Sequence, residues 1–143
     1  MYNTFNKYLK KTFNSKVHKV VIDAGFSCPN RDGTLSKDGC IFCNEQGSGS
    51  GQSAISIKGQ VLQGIKQVQK KYKDTKIMVY FQAFSNTYAP ADKLEEIYSQ
   101  AICHKDIVAI SIGTRPDCID NEKLKIINKF TDKYEVWIEY GLQ

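Results

Sequence analysis

Four short and nearly uninterrupted apolar runs, Val17 to Asp23, Ile77 to Phe81, Ile107 to Ile112 and Val136 to Tyr140, constrain this chain more than any other feature. A strand with one wet face alternates apolar and polar residues, whereas a run that is apolar throughout is covered on both faces, as in a parallel sheet flanked by helices. The intervening segments supply such helices. Ile57, Val61, Leu62, Ile65, Val68 and Tyr72 keep a helical period. A second helix opens at Pro90, where a missing N–H costs nothing, and carries Leu94, Ile97, Tyr98, Ala101 and Ile102 on its inner stripe. Asp120 is placed to cap a third, with Leu124, Ile127 and Phe130 as its apolar positions. With one helix in front, the order is helix, then β-α-β-α-β-α-β, an α/β fold. Right-handed crossovers allow either an open doubly wound sheet or a run of barrel units, and periodicity does not choose between them.

The chain has 143 residues, 41% of them hydrophobic and 24% charged, enough for one core and so for one domain or part of one. No run approaches the length of a membrane-spanning helix, and the N-terminus lacks the apolar block and small-residue cleavage site of a secretory signal. A cytoplasmic protein without a membrane partner is expected. The net charge of +5 is matched by Lys7, Lys10, Lys11, Lys16 and Lys19 in a stretch without acidic residues. Phe5, Tyr8, Leu9 and Phe13 form a helical stripe there, so residues 1–16 read as a basic N-terminal helix. A helix packed on the domain with solvated lysines is the plain reading, an RNA-facing patch the sharper one. The chain stops at Gly141-Leu142-Gln143, directly after the fourth strand, which suggests the N-terminal piece of a longer protein.

Residues 24–55 make a loop far longer than the usual βα connection, and long loops in compact domains are usually functional. It holds Cys28, Cys40 and Cys43, with Pro29-Asn30-Arg31-Asp32-Gly33 as the turn between the first two and Gly47-Ser48-Gly49-Ser50-Gly51 as a flexible stretch. Five cysteines are an odd number for a disulfide framework, so reduced thiols or metal ligation fit better. Cys40-x-x-Cys43 with Cys28 would suit zinc, but a closed structural site needs a fourth ligand. His18, His104, Cys103 and Cys118 are the remaining nitrogen and sulfur donors, and none lies in the loop. Three thiolates also suit a four-iron cluster in which one iron keeps an open vertex.

The stretch Asp23-Ala24-Gly25-Phe26-Ser27-Cys28-Pro29-Asn30-Arg31-Asp32-Gly33-Thr34, followed by Gly39-Cys40-Ile41-Phe42-Cys43, resembles the cluster loop of radical S-adenosylmethionine enzymes. Within that superfamily it is most similar to bacterial proteins related to the catalytic subunit of Elongator, a tRNA-modifying enzyme. The spacing departs from the common Cys-x3-Cys-x2-Cys by a widened first interval, as suits this branch. The resemblance extends to Phe81-Gln82-Ala83-Phe84-Ser85-Asn86-Thr87-Tyr88-Ala89-Pro90, to Gly113-Thr114-Arg115-Pro116-Asp117 and to Glu139-Tyr140-Gly141-Leu142-Gln143. It implies that residues 1–143 hold the first four units of a partial (β/α)6 barrel, a TIM-barrel relative with its reactive groups at the C-terminal strand ends.

The resemblance further implies that Cys28, Cys40 and Cys43 ligate a [4Fe-4S] cluster whose open iron takes S-adenosylmethionine. Reductive cleavage would give a 5′-deoxyadenosyl radical for hydrogen abstraction, possible substrates including tRNA, with flavodoxin or ferredoxin as the electron donor. Phe42 matches an aromatic position beside the cluster and adenine. Gln82, Ser85 and Asn86 stand where the superfamily often has Gly-Gly-Glu, so they are cofactor-binding candidates, their plainer role being to close the strand and cap the next helix. Arg115, with Asp117, is suited to grip a carboxylate or phosphate, or else to shape its loop through an ion pair. Glu139 interrupts an apolar strand, where a carboxylate is costly unless paired or facing a cavity, and it matches a family position near the ribose and methionine moieties. Cys103 and Cys118 read as apolar fillers. The competing reading is a noncatalytic zinc- or cluster-binding module that contacts nucleic acid. Substrate, product and oligomeric state are not legible.

Overall fold

The computed structural model describes residues 2–142, so the last residue of the Glu139 to Gln143 block lies outside the described residues. Helix α1 spans Phe5–Phe13, strand β1 Val17–Ile22, α2 Ile57–Lys71, β2 Lys76–Phe81, α3 Ala91–Ala101, β3 Ile107–Thr114, α4 Asn121–Asn128 and β4 Glu135–Tyr140. The strands form one parallel sheet in the order β1-β2-β3-β4. Chain order and spatial order coincide, so the sheet winds one way without the reversal that marks a doubly wound fold.

Side-chain alternation divides the sheet into two faces. Val20 and Ile22, Ile77, Val79 and Phe81, and Ile110 and Ile112 point to the side covered by α2, α3 and α4, where they form the main core with Val61, Ile65, Leu94, Ile97, Tyr98 and Ile127. Each fully buried aliphatic side chain here contributes about 1.5–3 kcal/mol. Helix α2 lies close on β1 because it carries Gly64 at the crossing, where an added Cβ would meet Val20 Cγ1 at 2.3 Å. Tyr98 packs edge-on to Phe81 and Phe130, and its hydroxyl donates to the Asn86 carbonyl at 2.6 Å.

The opposite face is split along its length. Leu9 of α1 buries against Met78 and Ala109, with Tyr8, Phe13, Val17 and Trp137 around them. The stripe read from the sequence is therefore this packing face, and Phe5 and Tyr8 both meet the Trp137 ring edge-on. Thr4 caps the helix by accepting from the Lys7 amide at 3.2 Å, while Lys10 and Lys11 sit favourably in its last turn. At Val108 the β2–β3 register slips, so Ile77 pairs with Ile107 but Met78 with Ala109. This keeps Ile107 on the helix side and presents a small residue to α1. The third predicted helix is shorter than its apolar pattern: α4 ends at Asn128, so Phe130 is buried from the following turn, and Leu124 is exposed. Asp120 does cap it, accepting from the Lys123 amide at 2.9 Å.

Residues between β1 and α2 contain no helix or strand, and one side chain closes this excursion. Gln60, buried on α2, accepts from the Asp23 amide at 2.8 Å and donates to the carbonyls of Asp23 at 2.7 Å and Ile55 at 2.8 Å. It thereby ties both ends of the loop to the same helix. Gln60→Leu keeps the volume but strands these backbone groups. It should lower stability by about 3 kcal/mol in urea unfolding, and a loss below about 1 kcal/mol would show that the clasp contributes little.

Candidate active site at the C-terminal ends of the strands

The loop after β1 folds back over the half of the inner face that α1 leaves uncovered, enclosing a cavity of about 250 Å³. From the sheet, Tyr80, Gln82, Thr114, Arg115 and Glu139 line it. From the loop come Cys28, Cys40, Cys43 and Phe42, with Asn30 and Arg31 between them. All three clustered cysteines are half-buried, in contrast to the fully enclosed Cys118. Phe42 is 58% exposed, so it stands at the rim.

Short contacts shape the loop. The amides of Arg31 and Asp32 donate to the Cys28 carbonyl at 2.8 and 3.1 Å, and the Cys43 amide donates to the Cys40 carbonyl at 2.9 Å. Arg31 donates from Nη2 to the carbonyls of Cys43 and Asn44 at 2.8 and 2.9 Å. Its guanidinium lies flat on Gly39, where φ is +75° and a Cβ would fall 2.3 Å from Nε. Only glycine combines that backbone conformation with so close an approach. Gly47, at φ +60°, similarly admits the Phe84 ring.

Beneath the cavity, one side chain from each strand enters a shared polar cluster. Lys19 Nζ of β1 lies 2.9 Å from Glu139 Oε1 of β4, and Ser111 Oγ of β3 donates to the same oxygen at 2.5 Å. The Lys19 ammonium also lies 4.2 Å from the centre of the Tyr80 ring of β2. Burial pushes the Glu139 carboxyl up, but the hydrogen bonds from Ser111 and Lys19 and the lysine charge outweigh it, leaving the carboxyl below its ordinary range. The Tyr80 phenol is pushed up to about 12 by burial, then by the charge of Glu139 and a hydrogen bond to it. At neutral pH the cavity floor thus presents a carboxylate beside a protonated phenol. On another wall, Arg115 donates from Nε and Nη2 to the two Asp117 oxygens at 2.8 and 2.6 Å. This paired hydrogen bonding raises the Arg115 pKa and lowers that of Asp117. The guanidinium lines the cavity with its fork already engaged.

Ser85 and Asn86 occupy a different place from the one expected of cofactor contacts. Both are fully buried outside the cavity lining, in a latch joining the ends of β2 and β3. Ser85 Oγ shares a hydrogen bond with Thr114 Oγ1 at 3.0 Å, and Thr87 Oγ1 shares one with that atom at 2.6 Å while donating to the Cys118 carbonyl at 2.7 Å. Asn86 donates from its amide and its Nδ2 to the Gly113 carbonyl at 3.0 and 2.8 Å. The plainer reading, closing the strand, describes their contacts. Cys118 is buried and Cys103 half-buried against the main core, and desolvation raises both thiols. The site also takes in Asn30, Arg31 and Tyr80 from its lining and Lys19 beneath it. In the sequence Lys19 stands out as a charge inside an apolar run, whereas Tyr80 reads as part of a strand and Asn30 and Arg31 as turn residues.

Cys28, Cys40 and Cys43 give the cavity a set of three soft sulfur donors, with Asn30 donating from Nδ2 to the Cys40 sulfur at 3.1 Å. That donor chemistry suits an iron–sulfur cluster held by three thiolates. Among the described residues, however, no three Cys, His, Asp or Glu side chains converge tightly enough to hold a metal ion. The thiols share one cavity without forming a closed ligand set. The one carboxylate on the floor, Glu139, is engaged by Lys19 and Ser111 rather than turned to the sulfurs. Among the described residues no helix is long and apolar enough to cross a membrane.

The chain is 40% identical over 144 residues to the uncharacterized protein YtqA of Bacillus subtilis (strain 168), a match covering 99% of this chain and 45% of the relative. It is 37% identical over 147 residues to the uncharacterized protein MJ0486 of Methanocaldococcus jannaschii, covering 100% of this chain and 44% of that protein. Against the protein YhcC of Escherichia coli (strain K12) the identity is 38% over 143 residues, covering 99% and 45%. The chain thus spans a little under half the length of the curated relatives it matches. No family model and no solved structure matches it.

The polar cluster makes a pH-dependent prediction. A carboxyl whose pKa is lowered by folding contributes stability above its unfolded value, and that contribution is lost as the pH falls through the folded value. Lys19→Met should move the Glu139 titration, followed by carboxyl NMR, back up toward the ordinary glutamate range. Because the pair is partly exposed, the accompanying loss of stability at neutral pH should stay within about 1 kcal/mol. An unmoved titration would mean that Ser111 and Tyr80 hold the carboxylate without the lysine.

Proposed function

We propose that this chain is the cofactor-binding part of a radical S-adenosylmethionine enzyme, and that its four strands are the first four units of a partial (β/α)6 barrel. The observation that carries the reading is the meeting of Cys28, Cys40 and Cys43 with Gln82, Arg115 and Glu139 in one cavity at the C-terminal strand ends. The one-way strand order supports it, being the order of successive barrel units. When bound, a [4Fe-4S] cluster would supply the electron that cleaves S-adenosylmethionine to a 5′-deoxyadenosyl radical.

The chain's own residues have separable tasks in this reading. The three thiolates hold iron, and loading the site entails drawing them closer together than they stand here. The Glu139 carboxylate, kept ionised and fixed by Lys19 and Ser111, offers an acceptor to an ammonium or a ribose hydroxyl. Gln82 adds a neutral amide, and Phe42 at the rim offers an aromatic face. Tyr80, held protonated, donates without adding charge to the floor. The exposed Lys7, Lys10 and Lys11 of α1, with Lys16 just after it, give a basic surface for RNA, with tRNA as the proposed substrate class and flavodoxin or ferredoxin as the electron donor.

Anaerobic reconstitution of the full chain with iron and sulfide should give a brown protein with cluster absorption and, after reduction, an electron paramagnetic resonance signal. Replacing any one of Cys28, Cys40 and Cys43 by serine should remove most of the bound iron while leaving the circular dichroism unchanged. On reduction, the loaded protein should release 5′-deoxyadenosine from S-adenosylmethionine. A colourless protein containing zinc would instead favour the noncatalytic nucleic-acid-binding module and sink the enzymatic reading.

A further inference from the structure

Among the side chains around the three cysteines, Asn30 makes a side-chain hydrogen bond directly to a sulfur. Its Nδ2 donates to Cys40 Sγ at 3.1 Å. The same residue is anchored to the segment that carries this sulfur: its carbonyl accepts from the Gly39 amide at 2.9 Å and from Ser36 Oγ at 3.0 Å. Gly39 immediately precedes Cys40, so carboxamide and thiol are held in register by the backbone as well as by their own contact. The neighbouring Arg31 addresses the same strip differently, reaching the carbonyls of Cys43 and Asn44 and no sulfur. One residue of the pair grips main chain, and the other touches a candidate ligand atom.

An N–H donated to a ligating sulfur withdraws electron density from it and stabilises the more negative state of the group it holds. A neutral carboxamide does this without adding net charge. We propose that Asn30 is a positioning residue that raises the reduction potential of a cluster bound through Cys40 by donating its carboxamide N–H to that sulfur. The inference rests on the cluster reading given above. Aspartate at this position would have the same shape, no N–H to donate and a negative charge, and so would act in the opposite direction.

The test is a redox titration of the reconstituted full chain, followed by electron paramagnetic resonance, in the wild type, Asn30→Ala, Asn30→Asp and Arg31→Met. The potential should become more negative in Asn30→Ala and more negative still in Asn30→Asp. Arg31→Met, which frees the Cys43 and Asn44 carbonyls but leaves the Asn30 carboxamide, should lower cluster occupancy without removing the contact to Cys40. Asparagine isotopically labelled in its side-chain nitrogen should give a hyperfine coupling to the wild-type cluster that disappears in Asn30→Asp. If Asn30→Ala fails to fold, the isosteric aspartate and the labelled wild type decide the matter. A wild-type cluster whose potential is the same in both Asn30 variants, or a coupling that persists in Asn30→Asp, would overturn the inference and leave the cluster reading standing. A wild type that assembles no cluster would remove that reading and the inference with it.

Discussion

The Glu139 carboxylate organises the upper half of the inner sheet face because it collects an interaction from every other strand. Lys19 comes from β1, Tyr80 from β2 and Ser111 from β3. An acidic group placed among apolar strand residues is tolerable only if its charge is met. Here that demand links strands that are not neighbours, since Lys19 and Glu139 stand on the two edges of the sheet. Register therefore matters twice, for the apolar core on one side and for the charge cluster on the other. A slip of β4 by one residue would turn Glu139 into the helices and leave Lys19 without its carboxylate.

The fold was largely legible because apolar runs and helical stripes are local signals. The four strands, and helices opening at Ile57, after Pro90 and after Asp120, lie where the pattern puts them. The end of α4 was not, since Phe130 is needed in the core from either a helix or a turn and burial alone does not distinguish them. The choice between doubly wound and one-way winding also required tertiary information, because both give the same alternation of elements.

The site divides along the same line. Cysteine spacing and the isolated carboxylate of Glu139 advertised themselves, and the cavity brings them together. Ser85 and Asn86 stand at a strand end, where hydroxyl and amide groups are equally able to meet a ligand or to satisfy backbone, and here they bond the Arg115 amide and the Gly113 carbonyl. Asn30 and Arg31 looked like ordinary turn residues. Their contacts with Cys40 and Cys43 depend on how a long loop folds, which no short-range pattern encodes.

Gln60 has a consequence for how such a loop can vary. Because it binds Asp23 and Ile55 together, the points where the excursion leaves and returns are fixed, and the Ser27 and Gly47 carbonyls, which accept from the Ser85 and Phe84 amides, pin it again on either side of the segment from Cys28 to Cys43. Closing a longer excursion adds only a logarithmic entropic penalty. A wide interval between the first two cysteines is thus a change that this architecture absorbs at the loop's own expense, with the strands and their charge cluster left in place.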